Sequence, residues 1–532
     1  MARVGHGNVQ TAGQTGQLST MMFTAAGKAA DFGYMFGSSP DTPPSDNERL
    51  PETDQTIAQL VRLAEAMGSA ESGEPDPMSD RVVEGDGTIP AAYTYFGQFV
   101  DHDITATAGV PDITGGTFEP LRTLAEVSNG RTAHLELDSV YGRPGSPDNQ
   151  VPPPQGARME VGEISIVGGA AVGTDLFQFV EGKGPSNDLP RKPRNADPKT
   201  DREARIGDPR NDENLIVAQL HVAFLKAHNT LADQLKSFEA ARKALTLIYQ
   251  SVIVDDFLRR ICDGETLDRI LAEGPRFFDP EGPAFMPVEF AAGAYRLGHS
   301  MVRTGYDFNL NFSPADSRFI FTFTALSGNI APAGVPVDQE GNPIGSPEAV
   351  GSDTFPHNWI IEWPRFLSID GSKPQRARPI DPLLTPLLAT LRDSFGNPIA
   401  SAPPLNVAQH LAKRNLLRGY QLSLPTGQAV AEKLGVAPIA ISADTTGLPA
   451  DVLVPFAERT PLWLYVLTEA KLNGGKLGAV GSTIVAETLI GQIKRSRPSI
   501  FDEDGGRISD DRHSLADIIE LAGEQDAGEE LA

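Results

Sequence analysis

The sequence is short of cysteine, of cationic side chains and of long apolar runs. Its 532 residues include one cysteine, Cys262, so no disulfide can form within the chain. Lysine and arginine together number 45 against 70 aspartates and glutamates, which gives a formal net charge of -25. This balance argues against nucleic acids and anionic membranes as partners, because both require clustered cationic side chains. No run of about 18 apolar residues is present, so we expect no membrane-spanning segment.

Targeting signals are also scarce in the first residues. The segment MARVGHGNVQTAGQTG lacks the apolar stretch of a signal peptide. The lack of disulfides removes a common staple of secreted proteins but does not exclude export. Localisation and oligomeric state therefore stay open at the level of sequence.

The chain is rich instead in core-forming and turn-forming residues. Hydrophobic residues make up 40% of the sequence, and 43 prolines and 52 glycines indicate long irregular connections. No internal repeat and no change in composition marks a boundary between domains. The sequence therefore predicts one large, mainly α-helical domain with long loops and few short strands at residues 51–522. An extended N-terminal arm at 1–50 precedes it, and an acidic, disordered tail at 523–532 follows.

Apolar residues recur at helical spacing in several segments. The clearest predicted helix covers residues 211–236, with Ile216, Leu220 and Phe224 on one face and Asp208 or Asn211 as its N-cap. Further helices are predicted at residues 55–67, 90–100, 239–262, 287–302, 381–394, 404–416, 426–434 and 481–494. Irregular structure is predicted at residues 107–205 (with short strands), 305–375 and 436–460.

The most informative motif lies at residues 96–103, which read FGQFVDHD. His102 stands between two aspartates, and on a helix or tight turn three consecutive side chains point in three directions. One short segment can therefore serve three sites. A histidine titrates near neutral pH and can move a proton or bind a metal. A surface histidine at a polar helix end would show the same pattern.

Two further segments carry oxygen-rich or charged side chains. In residues 132–138, TAHLELD, oxygen-bearing residues recur at every second position. That pattern suits a loop around a hard cation, but a strand with one polar face gives it more often. In residues 207–213, GDPRNDE, Arg210 and Glu213 can share one helix face. A surface ion pair or a capping glutamate is the simpler explanation for that pair.

Two later segments place a potential ligand beside small or cationic residues. Residues 289–302 read EFAAGAYRLGHSMV, and the small residues would let a planar group approach His299. A lone histidine on such a helix is more often a core residue. Residues 412–419 read AKRNLLRG, and asparagine and arginine there could simply belong to the end of a helix.

In this order, the segments resemble the animal-type haem peroxidases of the peroxidase–cyclooxygenase superfamily, and above all a bacterial, peroxinectin-like branch. The resemblance extends from about residue 90 to residue 495. It depends on GQFVDHD, GDPRNDEN, LHVAFLKAHNTLA and YRLGHSMV, which are weakly specific alone and specific as an ordered set. It implies the large haem peroxidase fold, a haem b cofactor and peroxidase activity.

The resemblance assigns roles to individual residues. His102 matches the distal histidine, Gln98 the distal glutamine and Arg210 the distal arginine. His299 matches the proximal ligand of the haem iron, and Asn415 matches the residue that accepts its second ring proton. At the haem periphery, the matches are the ester-forming carboxylates Asp101 and Glu213 and the candidate propionate partners Arg296 and Arg418.

The resemblance also implies one calcium ion. The matching ligands are Asp103, Thr132, the carbonyl of His134, Glu136 and Asp138. Glu136 stands where the family usually has an aspartate, so coordination there departs from the pattern. A second departure is Asn214, which stands where myeloperoxidase has a methionine bonded to a haem vinyl group. No sulfonium link is therefore expected.

The chemistry of histidine and arginine agrees with the roles that the resemblance implies for them. A histidine that donates its second ring N–H to a fixed acceptor is a usual axial ligand of haem iron. On the open side, His102 could take a proton from peroxide and return it to the departing oxygen, while Arg210 stabilises negative charge. The expected substrates are hydrogen peroxide and halide, thiocyanate or small aromatic donors. Calcium binding and peroxide chemistry favour a secreted protein of the oxidative stress response.

The remaining histidines and the cysteine are expected to be structural. His221 and His228 lie seven residues apart on one face of the predicted long helix, where packing is the simpler explanation. Cys262 lies near a helix end and is expected to be a structural thiol. No partner pattern surrounds the other histidines, which are His6, His357, His410 and His513.

Two rival functions remain in view. Fatty-acid dioxygenases of the same superfamily use a tyrosyl radical three residues before the proximal histidine. That position is Arg296 here, and Tyr295 is one residue away, which is about 100° of rotation on a helix. A calcium-dependent adhesion protein on the same scaffold would have no use for His102, Arg210 and His299.

Overall fold

The computed structural model is mainly α-helical, with short strands between long connections, as the sequence predicts. Within the described residues, no helix is both long and apolar enough to cross a membrane. His6 and His357 lie outside the described residues. The structure describes residues 31–68, 87–113, 118–142, 151–152, 154–165, 186–193, 195, 202–282, 284–310, 312–313, 315–317, 320, 355–356, 359–369, 371–391, 405–502 and 512–529.

Helices dominate both halves of the described chain. The α-helices are α1 (Asp54–Gly68), α2 (Ala92–Ile104), α3 (Asp138–Tyr141), α4 (Leu215–Leu235), α5 (Phe238–Ser251), α6 (Leu258–Ile261), α7 (Gly264–Glu273), α8 (Val288–Ala291), α9 (Leu411–Gln421), α10 (Gly427–Leu434), α11 (Ala443–Thr446), α12 (Ala450–Leu453), α13 (Leu462–Leu472), α14 (Ala479–Arg495) and α15 (Leu515–Glu529). A π-helical segment, Val252–Phe257, joins α5 to α6. Short 3-10 turns lie at Pro209–Asp212, Ala294–His299, Trp363–Arg365, Pro386–Ala389, Val407–Gln409 and Val454–Phe456.

The strands are short and form three small sheets. They are β1 (Asp31–Gly33), β2 (Thr107–Ala108), β3 (Ser128–Asn129), β4 (Gly162–Ser165), β5 (Ser186–Asp188), β6 (Phe285–Pro287), β7 (Gly305–Tyr306), β8 (Ala315–Asp316) and β9 (Phe355–Pro356). The sheet orders are β2-β3-β1-β6, β5-β4-β9 and β7-β8. β1 pairs antiparallel with β3, Asp31 opposite Ser128, and parallel with β6, Asp31 opposite Phe285.

Most predicted helices are present, and three of them match closely. The segments predicted at 55–67, 426–434 and 481–494 are α1, α10 and α14. The segment predicted at 239–262 is the continuous run of α5, the π-helical segment and α6. In the range 107–205, the described residues are mostly irregular with short strands, as predicted. Helices α7, α13 and α15 and the one-turn helices α3, α11 and α12 were not predicted, and because α11 and α12 lie within 436–460 the prediction of irregular structure there was wrong in part.

Three predicted helices were wrong in extent. The helix predicted at 287–302 breaks at Gly293, where a Cβ would lie 2.5 Å from the carbonyl oxygen of Glu289. Only a 3-10 turn forms in the described part of 381–394, because prolines remove backbone donors there. The helix predicted at 404–416 begins at Leu411 and ends at Gln421.

The long helix predicted at 211–236 also needs correction. Its first residues form the 3-10 turn Pro209–Asp212, which Asp208 caps, and α4 then starts at a new cap, Asn214. The side chain of Asn214 accepts the N–H of Val217 at 2.9 Å. Helix α4 is buried all round from Leu215 to Ala232 rather than on one face, as expected for a helix inside a large core.

Both ends of the described chain pack against the domain. In the predicted arm, Phe32, Tyr34 and Phe36 are buried, and β1 joins the sheet of β6. Helix α15 packs along α4, with Thr230 donating to the carbonyl of Leu521 at 2.9 Å. Because α15 continues to Glu529, the disorder predicted for the tail is wrong for its helical part.

Candidate functional site

Helix α2 carries the Asp-His-Asp motif on its last turn. Its apolar side packs through Phe96, Phe99 and Val100, all fully buried. The three motif side chains diverge, so that Asp101 is half-buried, while His102 and Asp103 are buried. Thr105 ends the helix, and its Oγ1 donates to Oδ1 of Asp101 at 2.8 Å. The segment thus presents three polar groups to three different surroundings.

His102 is held by an amide from the 3-10 turn that precedes α4. Nδ1 of His102 lies 2.8 Å from Oδ1 of Asn211, which is fully buried. In this orientation of the Asn211 amide, Oδ1 accepts, so Nδ1 of His102 donates. Nε2 is then the unprotonated nitrogen of the neutral ring.

Arg210 is anchored beside His102 by a buried carboxylate. Its Nε donates to Oδ1 of Asp208 at 3.0 Å, and its Nη2 donates to the carbonyls of His102 at 3.1 Å and Thr105 at 2.5 Å. Asp208 also pairs with Arg131. Burial opposes the charge on Asp208, but the two guanidinium groups outweigh it and hold its pKa below the ordinary value. Burial alone would lower the pKa of Arg210, but the negative charge of Asp208 raises it above its ordinary value.

Gln98 and Asn214 connect α2 to the start of α4. Nδ2 of Asn214 donates to Oε1 of Gln98 at 2.9 Å, while Oδ1 of Asn214 caps α4. One amide therefore serves both elements at the position where myeloperoxidase has a methionine. Glu213 lies next to it, half-buried, and its charge acts on Arg210 and on Arg414.

His299 ends the 3-10 turn Ala294–His299 and contacts α9. Nδ2 of Asn415 lies 2.7 Å from Nδ1 of His299. Rotation of this amide by 180° exchanges its nitrogen and oxygen, and with Oδ1 in that position Nδ1 of His299 would donate. This turn contacts α2, so the segments of His102 and His299 are neighbours.

The side chain of Tyr295 packs into an aromatic cluster. Its ring stacks on Phe290 at 4.3 Å between centroids and lies edge-on to Phe257 at 6.4 Å. Burial, with a smaller effect from Asp101, raises the pKa of Tyr295 well above its ordinary value.

Three arginines gather beside the His299–Asn415 contact. Arg414 and Arg418 lie one turn apart on α9, and Nε of Arg296 donates to the carbonyl of Ala291 at 2.8 Å. Burial and the charge of Arg296 lower the pKa of both Arg414 and Arg418 to about 10. Glu213 and Asp112 offset part of the repulsion at Arg414. A partly buried cationic cluster of this kind fits the two carboxylates of a haem group.

The predicted calcium residues separate into two groups. Oxygen atoms of Asp103 accept the N–H groups of Leu137 at 3.2 Å and Ser139 at 3.0 Å, and Thr132 donates to Asp138 at 3.2 Å. Burial, followed by the nearby charge of Asp138, raises the pKa of Asp103 to about 7.

Glu136 and His134 are directed elsewhere. Oε1 of Glu136 accepts the N–H of Arg497 at 3.1 Å and lies 3.7 Å from Nδ1 of His134. Across the described part of the chain, no group of three or more His, Cys, Asp or Glu side chains is arranged to hold a metal ion. Any cation here would therefore need hydroxyl and carbonyl oxygens besides Asp103 and Asp138.

The other histidines and the cysteine have mainly structural surroundings. His228 contacts the hydroxyl of Tyr141 at 2.9 Å and the carbonyl of Ala157 at 3.0 Å, as expected for packing. His513 lies 3.3 Å from Asp255, and burial lowers the pKa of His410 to about 4. Cys262 is buried, which raises its thiol pKa to about 12. His221 differs, because Nδ2 of Asn211 lies 3.0 Å from its Nδ1.

Four residues at the site were not assigned a site role from the sequence. Asn211 and Asp208 were considered only as helix caps, yet they hold His102 and Arg210. Arg131 and Arg414 contribute charge from neighbouring segments. Asn211 and Arg414 directly adjoin the predicted residues Arg210 and Asn415, and that adjacency was the available signal.

Comparison with known families gives a match in the middle of the chain. The family model for animal haem peroxidase matches residues 111–318, a range that contains Arg210 and His299 but neither His102 nor Asn415. The chorion peroxidase of Aedes aegypti is 28% identical over 129 residues, which are 21% of this chain and 16% of that protein. The thyroid peroxidase of Canis lupus familiaris is 30% identical over 107 residues, 18% of this chain and 11% of that protein.

Solved structures resemble nearly the whole chain. Peroxidase A from Dictyostelium discoideum has a TM-score of 0.58 and 15% identity, covering 94% of each chain. A fatty acid alpha-dioxygenase of Arabidopsis thaliana has a TM-score of 0.52 and 14% identity, covering 95% of this chain and 77% of its own. At these identities, the likeness concerns the fold alone.

Proposed function

We propose that this chain is a haem peroxidase, because the family model for animal haem peroxidase matches residues 111–318 and several peroxidases are similar to part of the chain. It would reduce hydrogen peroxide and oxidise halide, thiocyanate or small aromatic donors. The observation that carries this proposal is the pairing of two histidines on contacting segments. His102 lies beside an anchored arginine, and His299 lies beside Asn415 and a partly buried cationic cluster.

The proximal residues would bind and orient the cofactor. Haem, when bound, would supply the redox chemistry with peroxide, and the protein would bind and orient it. His299 would ligate its iron through Nε2, with Nδ1 bonded to Asn415. Arg296, Arg414 and Arg418 would bind the propionates, and that contact would relieve the mutual repulsion of the three guanidinium groups.

The distal residues would handle the proton and the charge. Nε2 of His102 would take a proton from hydrogen peroxide and return it to the departing oxygen atom. Arg210, fixed by Asp208 and by two backbone carbonyls, would stabilise negative charge on that oxygen. Gln98 would be a further polar group on the same side of α2, oriented by Asn214.

Calcium is proposed as the second cofactor. Asp103 and Asp138 are both buried and close enough for each charge to act on the other, an arrangement that a divalent cation would stabilise. Thr132 and the carbonyl of His134 would supply further oxygens, with Glu136 as an outer residue rather than a direct ligand. Metal analysis of purified protein should find one calcium per chain, and chelation should lower the unfolding temperature. Full stability after verified calcium removal would contradict this site.

Ester links between the protein and haem are a separate proposal. Asp101 and Glu213 are both half-buried near Arg210 and match the ester-forming carboxylates of the family. Haem staining of a denaturing gel after peroxide treatment should retain colour in the wild type and lose it in Asp101→Asn combined with Glu213→Gln. Haem that extracts freely from the treated wild type would contradict the links.

The direct test is a haem spectrum followed by a donor panel. Protein supplied with haem should show a Soret band and oxidise a dye only when peroxide is present. Halides, thiocyanate and phenols would then identify the donor class, and a fatty acid assayed for oxygen uptake would test the dioxygenase alternative. Absence of haem absorbance would contradict the enzyme proposal and favour the adhesion alternative. Membership of a bacterial, peroxinectin-like branch and secretion remain predictions of the sequence.

A further inference from the structure

A chain of hydrogen bonds links His102 to a second buried histidine through one side-chain amide. Oδ1 of Asn211 lies 2.8 Å from Nδ1 of His102, and Nδ2 of the same amide lies 3.0 Å from Nδ1 of His221. The exposed fractions are 2% for His102 and 0% for the other two. Three elements meet here, namely α2, the 3-10 turn before α4, and α4 itself.

The two contacts of Asn211 determine where the protons lie. The amide oxygen can only accept, so Nδ1 of His102 carries a proton, and the amide nitrogen can only donate, so Nδ1 of His221 is bare. Burial lowers the pKa of His221 to about 3, which keeps that ring neutral and able to accept. This orientation of Asn211 also suits a protonated His102, because both ring nitrogens then donate. His102 can therefore gain and lose the Nε2 proton while the amide stays in place.

His221 does not behave as an ordinary packing histidine. Its Nε2 is buried and lacks a hydrogen-bond partner among the described residues. An unpaired polar atom in the core is unfavourable, so an apolar residue would pack there more stably. The ring of His221 lies edge-on to Phe99, and its Nδ1 supplies the acceptor that the amide nitrogen of Asn211 needs.

We propose that Asn211 and His221 are positioning residues that hold His102 with its proton on Nδ1, so that Nε2 is the nitrogen that exchanges a proton with peroxide. The proposal rests on the proposed peroxidase function and names the groups that prepare its proton-transfer residue. Neither positioning residue touches the substrate.

The chain offers a matched control seven residues further along α4. His228 is also buried, and both of its ring nitrogens have partners, the hydroxyl of Tyr141 and the carbonyl of Ala157. Substitutions of His221 and His228 remove the same chemical group from the same helix. They differ in whether the group is connected to His102.

The first readout is the tautomer itself, which a purely structural role would not set. Protein labelled with ¹⁵N-histidine and loaded with haem, in its diamagnetic ferrous carbonyl form, is examined by NMR. The His102 signals are assigned by their loss in His102→Gln. We expect the Nδ1–H tautomer in the wild type and in His228→Leu, and a mixture of tautomers in His221→Leu. The Nε2–H tautomer in the wild type would overturn the proposal.

The second readout is the association rate of cyanide, because hydrogen cyanide must give up a proton when it binds. Loss of one hydrogen bond predicts a rate about 5-fold lower in His221→Leu, with recovery in His221→Gln, whose amide oxygen can accept from Asn211. Asn211→Leu removes both contacts and should lower the rate about 10- to 100-fold. If Asn211→Leu does not fold, the His221 variants carry the test.

The outcomes separate this proposal from the proposed function. Wild-type rates and tautomer in His221→Leu would overturn the positioning role. An active wild type with Nε2–H on His102 would contradict the positioning role and leave the peroxidase function in place. An inactive wild type with Nδ1–H on His102 would uphold the positioning and contradict the peroxidase function.

Discussion

The charged side chains around His102 form pairs of opposite sign, whereas those around His299 are mainly arginines that repel one another. Near His102, the carboxylate of Asp208 lies between Arg131 and Arg210, so buried charges of both signs are paired within the protein. Near His299, burial and the charge of Arg296 lower the pKa of both Arg414 and Arg418 instead. The charges near His102 are thus paired within the protein, whereas the repulsion among the arginines near His299 is only partly offset by Glu213 and Asp112.

The largest expected effect is on the rate of peroxide reduction when His102 is replaced. In the proposed mechanism, His102→Ala removes the group that moves the proton, and general acid–base catalysis of this kind contributes about 10²- to 10⁴-fold. Stopped-flow measurement of peroxide reduction should show a loss of this size while the Soret band persists. His228→Ala is the control, since that histidine contacts Tyr141 and Ala157 instead. An unchanged rate in His102→Ala would refute the acid–base role.

The next effect is on the free energy of unfolding when Asp208, between Arg131 and Arg210, is replaced. Asp208→Asn leaves two buried guanidinium groups without their carboxylate, and breaking a buried ion pair of this kind costs about 3–5 kcal/mol. Denaturant unfolding of the haem-free protein should show this loss in the free energy of unfolding. Asp233→Asn, which removes an exposed pair with Arg158, should change it by less than about 1 kcal/mol. Equal effects of the two substitutions would mean that the distal charges are not effectively buried.

A smaller effect concerns the segment that leads to His299. Glu289, at the start of α8, accepts the N–H groups of Met35 at 3.0 Å and Phe36 at 3.1 Å. Burial raises its pKa to about 7 from an ordinary value of 4.5, so the native state holds this proton more tightly than the unfolded state does. Its contribution to stability is therefore full below pH 4.5 and is lost as the pH rises to about 7.

Unfolding measured across that pH range tests this expectation. The free energy of unfolding should fall by up to about 1.4 kcal/mol per pH unit because of this group, and Glu289→Gln should remove that part of the slope. Asp451→Asn, at an exposed ion pair with Arg62, should leave the slope as it is. An unaltered slope in Glu289→Gln would show that Glu289 titrates normally.

The smallest expected effect concerns the stability of the haem-free protein when one arginine near His299 is replaced. Arg414→Met removes one buried cation from the cluster, so the haem-free protein should become more stable by about 1 kcal/mol, since apolar replacement of buried charges is often stabilising. The same variant should bind haem more weakly, because a propionate partner is lost. Denaturant unfolding and haem titration measure the two quantities separately. A destabilised haem-free protein would mean that Arg414 is already neutralised by the chain.

The same two regions mark the limits of prediction from sequence. Helical periodicity and the motif around His102 were sufficient to predict α2, α10 and α14 and to select His102 as a candidate. Periodicity could not detect the break at Gly293, which depends on a close approach of backbone atoms in three dimensions. The 3-10 turn that presents His299 was therefore predicted as a regular helix.

Contacts between distant segments were the part that local patterns could not supply. Asn211 meets His102 across 109 residues of chain, and its neighbour Arg210 carried the recognisable signal instead. Arg414 lies in a segment with helical periodicity, but that periodicity does not predict how close its charge lies to Arg296. Glu136 was assigned as a calcium ligand from the family resemblance, whereas in the structure its Oε1 accepts the backbone N–H of Arg497.

The most direct test of the proposed peroxidase site is a haem titration of the haem-free protein, followed by absorbance. If His299 and the arginine cluster form the proximal side of a haem pocket, a Soret band should grow and saturate at one haem per chain. No Soret band at any haem concentration would contradict that pocket.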